Sequence, residues 1–167
     1  MQQPEAYGFG NIGYLMQDVP EEVLEQFKNY IPSAQDPYNH NLAGNIEKEY
    51  DLKDLIPSVG NYFCWLAFEF QKHFNYNPRG ITANSKIFLD NLWVNIQEKH
   101  EFNPVHNHKG LFSFVIWYDI PYTIEQELAV SPGKNSNNNL AGHFEFQYIN
   151  SLGEITTMPI PADKKFN

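Results

Sequence analysis

The spacing of hydrophobic positions changes about halfway along the chain. Between residues 18 and 74, apolar side chains recur every three or four positions, which is the period of a helix with one buried face. After residue 86 they occur in short runs rich in β-branched and aromatic residues, which are typical of strands. Helices first and strands afterwards predict an α+β fold in which the helices pack on one face of the sheets.

Two helices are predicted in the first half. The first begins in the sequence Asp18-Val-Pro-Glu-Glu, where Asp18 is expected to cap the helix and the acidic residues lie at the positive end of its dipole. Pro32 is expected to end it, because proline has no backbone N–H to donate. The second helix is predicted over roughly residues 58–74, and its broad apolar face is expected to lie against a sheet.

Four strands are predicted in the second half. Glycine at position 153 allows a positive φ, so a tight turn at residues 151–153 is expected to join the last two strands. The segment 131–139 has no periodicity and is predicted to be an exposed, mobile loop that supplies no ligand. The segment before residue 17 is expected to form an edge strand or an ordered arm. The predicted strands cover residues 86–97, 111–119, 143–150 and 154–158.

Composition narrows the class of protein. A chain of 167 residues is long enough for one domain with a sizeable core, and an aromatic content of 16% favours sheets. A net charge of −9 argues against a nucleic-acid partner. The single cysteine, Cys64, excludes an internal disulfide framework and a cysteine-based zinc cage. No apolar run approaches the ~20 residues of a membrane span, so we expect a cytoplasmic protein without a membrane partner; the oligomeric state stays open.

The candidate chemistry lies in two histidines separated by one residue. His106 and His108 stand between two β-type runs, and in an extended segment side chains at positions i and i+2 point to the same side. Both imidazoles are therefore predicted to project into one space, close enough to share a metal ion, while Asn107 points away.

Several motifs around these histidines carry a resemblance that covers most of the chain. In these motifs the sequence resembles the 2-oxoglutarate/Fe(II)-dependent oxygenases, and especially the small prolyl-hydroxylase-like members encoded by tailed phages of marine bacteria. The motifs are Tyr7-Gly-Phe-Gly-Asn-Ile-Gly-Tyr14, Leu42-Ala-Gly-Asn-Ile46, Asn91-Leu-Trp-Val-Asn95, Phe102-Asn-Pro-Val-His-Asn-His108 and Gly110-Leu-Phe-Ser-Phe-Val-Ile-Trp-Tyr-Asp-Ile-Pro121.

The resemblance implies a fold and an activity. The implied fold is a double-stranded β-helix, or jelly roll, in a single domain with a helical part at residues 1–80 and a jelly-roll part at 81–167. The implied cofactors are Fe(II) and the cosubstrate 2-oxoglutarate, and ascorbate stays open as an accessory factor. The implied reaction is hydroxylation of an unidentified substrate, with peptidyl proline as the family-level choice. For a phage protein the compartment is the host cytoplasm.

The resemblance also implies roles for individual residues. His106 matches the first iron ligand, and His108 occupies the position of the family's carboxylate ligand. His108 either ligates through its imidazole or supports the site from behind while water takes that position. Asn95, Gln97 and Ser113 are expected to line the cosubstrate pocket. Each has an ordinary alternative, since the two amides would equally face solvent and the hydroxyl would equally bond to the backbone.

The sequence departs from the family in its last residues. Family members close the iron site with a distal histidine, and a later arginine or lysine pairs with the 2-oxoglutarate carboxylate. This sequence stops at Lys164-Lys-Phe-Asn167, and its one arginine, Arg79, lies upstream. We therefore expect the third ligand and the cation beyond residue 167, and poor turnover by residues 1–167. Two alternatives stay open: a cupin-like metal-binding protein without oxygenase activity, and a structural or interaction protein that keeps the fold.

Overall fold

The structure, a computed structural model, describes residues 4–8, 13–78, 82 and 84–163. It divides the chain into two compact units, Met1–Phe112 and Ser113–Asn167. The boundary falls inside the run 111–119, and the single-domain organisation stays a prediction. In chain order the helices and strands are β1 (Glu5–Gly8), β2 (Gly13–Met16), α1 (Glu21–Tyr30), β3 (Lys48–Asp51), α2 (Ile56–Phe74), β4 (Trp93–Ile96), α3 (Ile124–Val130), β5 (His143–Ile149) and β6 (Ile155–Pro161).

The first predicted helix, α1, is confirmed, but its start is not where the sequence placed it. Pro20 occupies the cap position with an extended backbone, and its carbonyl accepts hydrogen bonds from the amides of Val23 and Leu24. Asp18 is therefore not the cap, because the first helical hydrogen bonds start two residues later. Pro32 does follow the end of α1, in a 3-10 turn at Ile31–Ser33, where its missing N–H leaves no bond unmade.

The second predicted helix, α2, is also confirmed. Pro57 lies in its first turn, and Asn75 ends it in the left-handed conformation with φ 46°. Val59 and Phe63 are buried on its inner face, where the Phe63 ring meets Phe27 of α1 edge-to-face at 6.4 Å. This contact joins the two helices in the core of the first unit. In the described residues, no helix is long and apolar enough to cross a bilayer.

Three antiparallel two-stranded sheets carry the described strands: β1–β2, β3–β4 and β5–β6. The hairpin β5–β6 is confirmed, and Gly153 in its turn has φ 83°. β4 occupies only part of the predicted run 86–97, and its partner β3 was not predicted. These sheets and helices make a mixed α and β architecture, and the double-stranded β-helix stays a prediction.

The run 111–119 was predicted as a strand, and this prediction is wrong in the described structure, because the run belongs to none of the three sheets. Apolar residues alone do not make a strand; a packed face must also select its register. Here Phe114 and Val115 are both exposed, so neither side of the run is fully covered.

Helix α3 was also missed. Thr123 accepts a hydrogen bond from the amide of Gln126, and the Gln126 side chain accepts one from the amide of Thr123. This reciprocal pair is a capping box, and its Thr-x-x-Gln spacing is visible in the sequence. The short helix lies in the second unit, where Ile120, Ile160 and Ala162 are buried.

The segment 131–139 is a series of turns and is mostly exposed, as predicted; its mobility stays a prediction. Its far end is fixed, because Asn139 donates to the Leu128 carbonyl at 3.3 Å and accepts from the Ala141 amide at 3.2 Å.

We expect deletion of residues 134–137 to change the free energy of unfolding by less than about 0.5 kcal/mol. Asn139→Ala is expected to cost about 1 kcal/mol. Urea denaturation measures the free energy of unfolding of both variants. A loss of stability in the deletion variant that exceeds the loss in Asn139→Ala would contradict the prediction.

Candidate metal centre

His106 and His108 lie side by side in the first unit. The preceding backbone is held by a bridge in which the Asn45 amide donates to the Phe102 carbonyl at 2.8 Å. The two rings are 4.7 Å apart between centroids, and their Nε2 atoms are separated by 3.0 Å. The predicted juxtaposition is therefore confirmed, although the segment is irregular rather than part of a strand.

The hydrogen bond at the other nitrogen of His106 fixes its tautomer. The Nδ1 atom lies 2.7 Å from the Pro104 carbonyl oxygen, which only accepts, so Nδ1 carries a proton. In the neutral ring the lone pair is then on Nε2, directed at His108. Without a metal, the Nε2–H of His108 donates to this lone pair. For both rings to bind one metal, the His108 proton must leave Nε2, and a shift to the tautomer with Nδ1–H achieves this while the ring stays neutral.

The distance between the two nitrogens suits neighbouring ligands of one ion. Two ligand nitrogens at about 2.1 Å from a metal are about 3.0 Å apart at a right angle and about 3.4 Å apart at the tetrahedral angle. The observed 3.0 Å is an ordinary N–H···N hydrogen-bond distance, and it also equals the right-angle separation in six-coordinate first-row metals. Both rings are exposed, so exchangeable ligands have access.

A stack of aromatic rings orients His108. Trp93 of β4 lies nearly parallel to the His108 ring with 6.2 Å between centroids, and the Tyr38 ring stacks with the same indole at 5.9 Å. The Tyr38 hydroxyl donates to the side-chain oxygen of Asn91 at 3.0 Å, which fixes the outer ring. Neither the place of Trp93 nor that of Tyr38 in this stack was predicted from the sequence.

The environment of His108 favours its neutral form. Partial burial of the ring and then the charge of neighbouring His106 lower the pKa of His108. A neutral imidazole is the form that binds a metal.

This shift gives a test on the metal-free protein. Because the pKa of His108 is lower in the folded protein, this residue binds more protons in the unfolded chain than in the folded protein. We therefore expect the free energy of unfolding to decrease as the pH falls from about 6.5 through the lowered pKa. His108→Phe keeps a ring against Trp93 and does not titrate, so its unfolding free energy should decrease less over pH 7 to 5. Urea denaturation at several pH values measures the difference, and parallel curves would contradict the assignment.

The predicted cosubstrate residues occupy different surroundings. Asn95 lies on β4 directly opposite Glu49 of β3. Gln97 is exposed, and its amide donates to the Glu101 carbonyl at 2.7 Å. Ser113 is exposed at the start of the second unit. The structure therefore pairs Asn95 with an acidic residue and engages Gln97 with the backbone, and the cosubstrate role of all three stays a prediction.

The other predicted elements of the site concern a third ligand and a cation. In the described part of the chain, no group of three or more His, Cys, Asp or Glu side chains is arranged to hold a metal. Arg79, Lys164 and Lys165, the cations weighed for the 2-oxoglutarate carboxylate, lie outside the described residues. Among the described side chains, the two histidines are the candidate metal ligands at this centre.

No protein-family model matches the chain, and no curated protein or solved structure is similar enough to match it. The resemblance to the 2-oxoglutarate oxygenases therefore stays a prediction from the sequence motifs.

Proposed function

We propose that His106 and His108 bind Fe(II) and that the protein is a 2-oxoglutarate-dependent dioxygenase. The observation that carries this proposal is the pair of facing Nε2 atoms 3.0 Å apart, a separation that suits two adjacent positions of a six-coordinate ion. The sequence motifs supply the reaction class, because two imidazoles are compatible with many metal chemistries. The substrate is unidentified, and peptidyl proline is the class to test first.

Each residue of the centre has a distinct part in this proposal. The Pro104 carbonyl holds the His106 ring with its lone pair available, and Trp93 holds the plane of the His108 ring. Such supporting contacts keep ligands oriented before the metal arrives. When bound, Fe(II) supplies oxygen activation coupled to oxidation of 2-oxoglutarate to succinate.

The remaining roles concern the cosubstrate and the compartment. Asn95 and Gln97 of the first unit are proposed to donate hydrogen bonds to 2-oxoglutarate through their side-chain amides. The role of Ser113 stays a prediction from the sequence. We place the protein in the cytoplasm, where a reducing environment keeps iron as Fe(II) and suits the single free thiol of Cys64.

Succinate formation tests the proposal directly. The purified protein is loaded anaerobically with excess Fe(II) and 2-oxoglutarate, because two imidazoles are expected to bind iron weakly, and O2 is then admitted. We expect slow formation of succinate that depends on both iron and His106. Samples with Zn(II) in place of iron, and the His106→Ala variant, are the matched controls.

The outcomes separate the function classes. Iron binding at the histidine pair without succinate would overturn the oxygenase and leave a cupin-like metal-binding protein. The absence of both would leave a structural or interaction protein. Succinate that persists in His106→Ala would show that another group holds the iron.

A further inference from the structure

A second polar cluster lies beside the histidine centre, around the buried carboxyl group of Glu49. This side chain is 0% exposed. Its Oε2 accepts a 3.3 Å hydrogen bond from the side-chain amide of Asn39, which also donates to the Ile46 carbonyl at 2.7 Å. Its Oε1 is buried and has no hydrogen-bond partner. A buried oxygen without a donor is unfavourable, so this atom needs a proton, a water molecule or a cation.

The neighbouring strand adds a second oxygen of the same kind. Asn95 of β4 lies directly opposite Glu49 of β3, and side chains of directly paired residues lie on the same face of a sheet. The Oδ1 atom of Asn95 is likewise buried without a hydrogen-bond partner. Two buried acceptors without a hydrogen-bond partner therefore lie on one face of this sheet.

A glycine leaves room for a third oxygen. A Cβ atom built on Gly44 would lie 2.6 Å from Oε1 of Glu49 and 2.8 Å from Oδ1 of Asn103. Both oxygens thus lie close together against the same side of Gly44, where any larger residue would collide with them. On the other side of the cluster, Gly44, Glu47 and Glu101 are among the residues that line an open cavity of about 250 Å³.

The charges around the cluster favour a cation. Glu101 accepts hydrogen bonds from the backbone amides of Glu47 and Glu98 at 2.8 and 2.7 Å, and these lower its pKa and keep it ionised. Burial, and then the charge of Glu101, raise the pKa of Glu49, so a proton competes with a cation for this carboxylate. Lys48, on the same strand as Glu49, is bound to Glu98 instead.

We propose that Glu49, Asn95 and Asn103 bind an oxygen-preferring divalent cation, Ca²⁺, at a site that shares no residue with the histidine pair. Carboxylate and amide oxygens are the ligands that Ca²⁺ takes, and its variable coordination lets water complete the shell. A proton on Oε1 of Glu49 would satisfy that atom and one acceptor to which it donates, whereas a bound cation would be a shared partner for the carboxylate and both amide oxygens. The cosubstrate contact proposed for Asn95 uses its amide N–H, and the cation uses its Oδ1.

Calcium titration of metal-stripped protein tests the site. We expect Ca²⁺ to bind in calorimetry and to raise the melting temperature of the wild type. Glu49→Gln keeps the shape of the side chain and brings an N–H donor towards Asn95, so it is expected to fold and to bind Ca²⁺ at least about ten-fold more weakly. Asn103→Ala is expected to weaken binding by a smaller factor.

Two controls localise the effect. Glu22→Gln removes the same charge from an exposed position of α1 and should leave Ca²⁺ affinity unchanged. The double variant His106→Ala/His108→Ala should also bind Ca²⁺ as the wild type does, whatever it does to iron. The proposal is overturned if millimolar Ca²⁺ does not bind the wild type, which would leave Glu49 as a neutral buried acid. It is equally overturned if Glu49→Gln binds with wild-type affinity.

Discussion

Fe(II) affinity is expected to fall about ten- to a hundred-fold when His106 is replaced by alanine, and by less when His108 is replaced. His106 is the better ligand because its Nδ1–H is held by the Pro104 carbonyl, which leaves the Nε2 lone pair free of a proton. His108 must first release or move its Nε2 proton. Anaerobic competition against a chromophoric chelator measures both affinities.

His73→Ala is the matched control for the iron measurement. His73 is an exposed histidine in the last turn of α2, outside the candidate centre. Its replacement should leave Fe(II) affinity unchanged. Equal affinities for the wild type and His106→Ala would show that the ion is held elsewhere and would remove the basis of the proposed function.

Gly13→Ala is expected to have the largest effect on stability, a loss of about 3 kcal/mol in the free energy of unfolding. A Cβ atom at this position would lie 2.0 Å from the backbone oxygen of Tyr7 and 2.3 Å from the ring of Phe74. The Tyr7 oxygen belongs to β1, which pairs with β2, so it cannot move without disturbing the hairpin. Urea denaturation monitored by circular dichroism gives the value.

A second glycine provides a control of opposite sign. Gly60 lies inside α2, and a Cβ there would be 3.7 Å from its nearest neighbours, Ile56 and Leu89, which is ordinary contact. Gly60→Ala is therefore expected to stabilise the protein by about 0.4–1 kcal/mol, because alanine reduces the freedom of the unfolded chain. A similar loss of stability in both variants would show that the close packing around Gly13 is not the cause.

The features predicted from sequence are those that depend on neighbouring residues. The helix α2 follows from a repeat of apolar side chains over five turns, and the hairpin β5–β6 follows from two short runs joined by a glycine turn. The strand β3 has four residues, and its pairing with β4 is made by a distant segment, so no local pattern marks it. The run 111–119 shows the converse, since strand-like composition did not produce a strand.

The same division applies to the candidate centre. The meeting of His106 and His108 depends on a spacing of two residues, which the sequence displays. The stacking of Tyr38 and Trp93 against His108 depends on tertiary structure, as does the complete burial of Glu49. Charged residues are usually exposed, so the residue type alone would predict a position on the surface for Glu49.

The pairing of β3 with β4 has a consequence for the order in which the protein folds. The register joins Asp51 to Trp93 and Lys48 to Ile96, which closes a loop of more than forty residues containing α2. Closing such a loop has an entropic cost, and the hydrogen bonds between β3 and β4 offset this cost only after they have formed. Helix α2, in contrast, forms from local contacts. Trp93, Asn95 and Glu49 therefore reach their native positions late. A metal bound near them should mainly slow unfolding, with little effect on the rate of folding.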